Sequence, residues 1–126
     1  MAALYSDVIL DHFRSPRNFG SLLSPDVVYE DVNPLCGDRI RIELELSGGL
    51  VKAARFKGDG CAISLAAASI LTELVIGARV DDGEVISNEA LVSSLRSNIK
   101  PSRMKCALLA LEVLRTGIQI YKRATK

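Results

Sequence analysis

The sequence predicts an α+β fold, a small three-stranded antiparallel sheet with helices packed on one face in two layers. Three observations carry that expectation. Ile40, Ile42, Leu44 and Leu46 alternate with Arg39, Arg41, Glu43 and Glu45, the two-residue period of a strand with one face buried and one in water. Gly48-Gly49 follows as a two-residue hairpin turn, and residues 50–56 return as the next strand. Beyond them the composition turns to helix formers, ending in an apolar stripe of Met104, Leu108, Leu111, Leu114, Ile118 and Tyr121.

The remaining elements follow in order. Leu4, Val8, Ile9 and Phe13 recur at helical spacing, so a short amphipathic helix starts near Ser6 and stops at Ser15-Pro16. Arg17 to Gly20 and Ser24-Pro25-Asp26 read as an irregular connection. Val27 to Val32 is rich in β-branched residues and is halted by Asn33-Pro34, giving the first strand and a turn. Gly58 and Gly60 are expected to break the sheet just before Cys61. Residues 63–76 carry few charges and form a buried helix with Gly77 as its C-cap. Residues 81–96 read as two shorter helical pieces, the second capped by Ser87. Pro101 suits the start of the last helix, and Lys122, Arg123 and Lys126 complement the dipole at its end.

A length of 126 residues fits a single domain spanning 1–126 with its own core. Apolar residues make up 48% and charged residues 25%, the balance of a folded globule. A formal charge of +1 provides no broad basic field, which excludes nucleic acid and an anionic membrane as main partners. No apolar run approaches the roughly 20 residues that cross a bilayer. The first residues reach Asp7 without the basic start and apolar core of a secretory signal, so the expected location is the cytoplasm. An odd count of three cysteines in a reducing compartment argues against a disulfide framework and leaves metal binding, thiol chemistry or burial.

Each cysteine falls at the end of an element. Cys36 lies in the turn between the first two strands, between Pro34 and Gly37. Cys61 stands where a glycine-rich turn meets a buried helix, an end whose amides and dipole favour a thiolate. Cys106 falls in the first turns of the last helix beside Lys105, whose charge favours the thiolate in the same way, though modestly because adjacent helix residues do not face each other. If these ends meet, three sulfurs converge with the carboxylate of Asp38, a donor set that suits zinc or an iron-sulfur cluster. Spacing alone leaves two readings, a shared site and three small buried residues, because no C-x-x-C pair is present. His12, the one histidine, is remote in sequence from every cysteine and is read as structural.

Four blocks taken together are more specific: Asp11-His12-Phe13 with Pro16-Arg17-Asn18; Asn33-Pro34-Leu35-Cys36-Gly37-Asp38; Gly60-Cys61-Ala62-Ile63-Ser64 with Ala68-Ser69; and Lys105-Cys106. In this order they resemble the iron-sulfur cluster assembly scaffold family, comprising the IscU and SufU types and the N-terminal domain of NifU. The resemblance implies a three-stranded sheet packed with helices, and a scaffold or sulfur-transfer protein rather than a conventional enzyme. It implies that Cys36, Cys61 and Cys106 carry the chemistry, with Asp38 as a further ligand or a tuner of release. A cysteine desulfurase would deliver sulfur, iron would join it, and a labile cluster, [2Fe-2S] foremost, would pass to apo iron-sulfur proteins. The alternative is a zinc-binding sulfur acceptor serving a SufS-type desulfurase, with Zn²⁺ at the same residues. Two departures stand out. Lys105 replaces the histidine of the IscU type, and the segment between Gly77 and Pro101 is too short for the insertion usual in the SufU type. Ile99-Lys100-Pro101-Ser102-Arg103 keeps part of the motif by which the IscU type engages an Hsp70-type chaperone.

Overall fold

The alternating segment becomes the central strand of the sheet. In the computed structural model, which describes residues 5–34, 37–80 and 86–125, β1 (Val27–Val32), β2 (Arg39–Ser47) and β3 (Leu50–Asp59) run antiparallel in the order β1-β2-β3. Ile40, Ile42 and Leu44 point into the core with at most 2% exposure. The Gly48-Gly49 turn takes positive φ at both residues, the backbone that a tight hairpin between twisted strands requires.

Four helices among the described residues cover one face. α1 (Asp7–Arg14) packs on α2 (Ala62–Val75); α2 lies against β3, and α4 (Met104–Ala124) lies against β1 and β2. The short α3 (Asn88–Ser94) bridges α2 and α4. The N-caps are those read from the sequence: the Ser6 hydroxyl accepts from the Ile9 amide and that of Ser87 from the Ala90 amide. A 3₁₀ turn, Pro101–Arg103, leads into α4. Close approach of α4 to β1 depends on Gly117, where a Cβ would lie 3.1 Å from both Tyr29 Cβ and Val27 Cγ1.

Two expectations are corrected. Gly58 does not break the sheet: β3 continues to Asp59, and a Cβ at Gly58 would come 2.3 Å from the Arg39 carbonyl oxygen, so the glycine lets β2 and β3 approach. Glu43 does not belong to the wet face. It is 3% exposed, and its carboxylate accepts from the Leu22 amide at 2.8 Å and from Arg41 Nε at 2.8 Å. The loop before β1 folds back over the sheet and buries it. That loop also covers the outer edge of β3, where Phe56 donates to the Asn18 carbonyl and accepts from the Gly20 amide. The first of the two predicted pieces in 81–96 falls largely on residues 81–85, which lie outside the described residues, as do Leu4, Leu35, Cys36 and Lys126.

Candidate metal centre

Register places the first candidate ligand. Arg39 of β2 pairs with Asp59 of β3, so the next outward positions, Asp38 and Gly60, face each other at the end of the sheet. The turn before Asp38 is closed by the Asn33 amide donating to the Asp38 carbonyl at 2.8 Å and the Gly37 amide to the Asn33 carbonyl at 2.7 Å. Gly60 makes room for the carboxylate: a Cβ there would stand 2.6 Å from Asp38 Oδ1. Asp38 is consequently 3% exposed and turned inward.

Cys61 is the N-cap of α2, but its own side chain caps nothing. Asp38 takes that part from across the sheet. Its Oδ1 accepts the Cys61 amide at 3.2 Å, and its Oδ2 accepts the Ser64 hydroxyl at 2.5 Å. A carboxylate at the start of a helix is favoured by the unpaired amides and the dipole there. The same Oδ2 lies 3.7 Å from Cys61 Sγ.

The third group arrives with α4. Because α4 follows β1, with Leu109 beside Val32 and Gly117 beside Tyr29 and Val27, its first turn reaches the end of the sheet that carries Asp38. Cys106 sits there, 4% exposed, and its carbonyl lies 3.2 Å from Ser64 Oγ. One ligand atom each from Asp38, Cys61 and Cys106 falls within a mutual span of 4.8 Å. Tetrahedral zinc, with Zn–S about 2.3 Å and Zn–O about 2.1 Å, separates a sulfur from an oxygen by about 3.6 Å. The observed sulfur-oxygen distance of 3.7 Å fits it. Two thiols and a buried carboxylate also suit iron or zinc better than magnesium or calcium, whose ligands are oxygens alone.

A cation stands beside the sulfurs. The exposed Arg103 has its pKa raised above the ordinary arginine value, chiefly by the charge of Cys61, then by Tyr5 and by Cys106, to which it also hydrogen-bonds. Arg103 lines a cavity of about 280 Å³ together with Tyr5, Ile63 and Lys100.

Asp38, Cys61 and Cys106 therefore come together as the sequence predicted, while Cys36 lies outside the described residues. Lys105 is exposed and lines a groove with Asp31, Asn33 and Glu112, separate from the cavity that Arg103 lines. His12 is structural. It is 8% exposed, its Nδ1 is 2.7 Å from Ser69 Oγ and its Nε2 is 3.7 Å from Glu73 Oε1, about two and three turns along α2 from Cys61 respectively. Asn18 works beside it, donating to Thr72 Oγ1 at 3.1 Å and accepting from Arg55 at 3.1 Å. The first sequence block thus ties α1 to α2. Ser64 and Arg103 escaped the sequence reading as site residues. The available signal was helical spacing, since each is three residues from a cysteine and so shares its face of the helix.

The NifU-like N terminal domain family matches residues 4–126. This chain belongs to that family. Within it, a SufU of Bacillus subtilis, named as a zinc-dependent sulfurtransferase, is 35% identical over 91% of this chain and 89% of its own. That alignment runs for 132 positions, more than the whole of this chain, so the relative carries residues that this chain lacks. IscU of Escherichia coli, named as an iron-sulfur cluster assembly scaffold protein, is 32% identical over 94% of each chain. The solved structure of a nitrogen-fixing NifU-like protein (N-terminal) from Brucella abortus has the same fold, with a TM-score of 0.77 at 21% identity over 95% of each chain.

Proposed function

We propose that this chain is a single-domain scaffold for iron-sulfur cluster assembly, taking sulfur from a cysteine desulfurase and passing a labile cluster to apo iron-sulfur proteins. The observation that carries the reading is the convergence of Asp38, Cys61 and Cys106 within 4.8 Å at the end of the sheet. Membership of a family whose relatives are named for scaffold and sulfurtransferase work supports it. In this reading Cys36, Cys61, Cys106 and Asp38 form the site, and its cargo is a [2Fe-2S] cluster or, in its place, Zn²⁺.

The sulfur step is an exchange. A site thiolate attacks the outer sulfur of the desulfurase's cysteine persulfide; the new S–S bond forms as the old one breaks, and the donor leaves as a thiolate, with no net oxidation. Of the two described sulfurs, Cys61 is the more exposed, and Arg103 supplies positive charge beside it. When bound, a metal ion holds the thiolates deprotonated and polarises sulfur for transfer. Asp38 differs from the cysteines in kind: an oxygen donor binds iron less firmly than thiolate does, which gives a cluster meant to leave one weak tie. The partly retained segment from Ile99 to Arg103, exposed at Lys100, would face a chaperone of the Hsp70 type. Among the described residues no helix is long and apolar enough to cross a membrane, and we place the work of this chain in the cytoplasm.

Anaerobic incubation with ferrous iron, cysteine and a cysteine desulfurase tests the proposal. Visible charge-transfer absorbance of a cluster on the parent chain, transferable to an apo-ferredoxin, is the expected result. Faster desulfurase turnover with tightly held zinc and no cluster would replace the scaffold with a zinc-bound sulfur acceptor.

A further inference from the structure

We propose that Ser64 is the positioning residue of this site, holding Asp38 so that it can bind metal through one oxygen and let go without leaving a buried charge unpartnered. The inference rests on the reading of the cluster above as a metal site.

Ser64 occupies the first turn of α2 and is fully buried. Its oxygen lies 2.5 Å from Asp38 Oδ2, 3.2 Å from the Cys106 carbonyl and 3.6 Å from Cys61 Sγ. One hydroxyl thus reaches all three groups of the cluster, which arrive on three different elements. A hydroxyl carries a single proton. The shorter, charge-assisted bond to the carboxylate takes it in preference to the neutral carbonyl. Asp38 is then fixed from both sides: Oδ1 by the Cys61 amide and Oδ2 by Ser64.

Two consequences follow. Held at Oδ1 by the Cys61 amide and at Oδ2 by the Ser64 hydroxyl, the carboxylate is not set to chelate with both oxygens; Oδ2 is the one that lies 3.7 Å from the Cys61 sulfur. Single-oxygen binding is the weaker mode, suited to release. In the metal-free chain, moreover, Asp38 is 3% exposed and would pay a desolvation penalty without donors. Ser64 and the Cys61 amide meet that requirement already, so ligand exchange at Asp38 needs no refolding of the loop. Groups that orient a ligand from behind typically change metal affinity by about 10–100-fold when removed.

A double-mutant cycle tests this directly, using zinc as the probe and the full chain. Zinc dissociation constants are measured by competition with a chromophoric chelator for the parent, Ser64→Ala, Asp38→Ala and the double variant. The expected result is a loss of about tenfold for Ser64→Ala in the parent and less than about twofold in the Asp38→Ala background. Equal losses in the two backgrounds would overturn the proposal, because Ser64 would then act on the fold and not through Asp38. If Ser64→Ala fails to give a cooperative melt, Ser64→Thr and Ser64→Val replace it: they are matched in shape and differ in the hydroxyl, so Thr must bind zinc about tenfold tighter than Val. Equal affinities for that pair would also overturn it. A parent chain with no zinc affinity would overturn the metal-site reading itself, and Ser64 with it.

Discussion

Asp38 caps the helix that Cys61 begins: one carboxylate oxygen accepts the Cys61 amide at 3.2 Å while the other lies 3.7 Å from the Cys61 sulfur. The same side chain therefore holds the end of α2 and stands in the candidate donor set. A residue with both duties makes its removal informative. Asp38→Ala should cost about 1 kcal/mol of stability through the lost cap. It should also lengthen the life of a reconstituted cluster, by removing the weak oxygen tie. Decay of the visible absorbance under air measures this, and a shorter lifetime in the variant would contradict the role assigned to Asp38.

Gly60 is required by the carboxylate it faces. An added methyl would stand 2.6 Å from Asp38 Oδ1, and that oxygen is pinned by the Cys61 amide, so the clash cannot be relieved by a free rotation. Gly60→Ala should lower stability by about 1–3 kcal/mol and weaken zinc binding, whereas an alanine at the open turn position Gly48 should leave zinc affinity unchanged. Chemical denaturation and chelator competition on the two variants check the contrast.

His12 should give the fold a pH dependence remote from the sulfurs. Burial is the main reason its pKa falls below the ordinary 6.5, reinforced by Arg17 and opposed by Glu73 and Asp11. The neutral ring is thus favoured in the folded chain. The unfolded chain takes up the proton first as pH drops, so stability is full above about 6.5, falls as pH decreases through that value, and levels off below the lowered pKa. Melting temperatures of the parent and His12→Gln between pH 7.5 and 5 measure it. The parent should lose more than the variant over that interval; equal slopes would remove His12 as the cause.

Much of this was legible from local pattern. The alternation of Ile40, Ile42 and Leu44 fixed the face of β2 and Gly48-Gly49 fixed the hairpin, but it is a one-residue register shift at Glu45/Leu46, which no local pattern announces, that sets Asp38 against Gly60 and not Asp59. Ser6 and Ser87 announced their helices because capping is a contact over three residues. What escaped depends on distant partners. Glu43 looks like a surface residue beside Arg41 until the Leu22 amide folds onto it, 21 residues away in sequence. Gly58 looks like a strand end until the Arg39 carbonyl is found against it. Ser64 reads as one more small residue in an alanine-rich buried helix, since its partner Asp38 lies 26 residues earlier. Lys105 drew attention by adjacency to Cys106, but it is Arg103, one helical turn back, that faces the sulfurs.

The most direct test is metal per chain, measured by cobalt or zinc loading of the parent, Cys61→Ser and Cys106→Ser, with circular dichroism to confirm the fold. One ion per parent chain with thiolate-to-cobalt absorbance in the near ultraviolet, and a sharp fall in both in each folded variant, is what a shared centre at Asp38, Cys61 and Cys106 predicts. Metal content equal to that of the parent in either folded variant would contradict it.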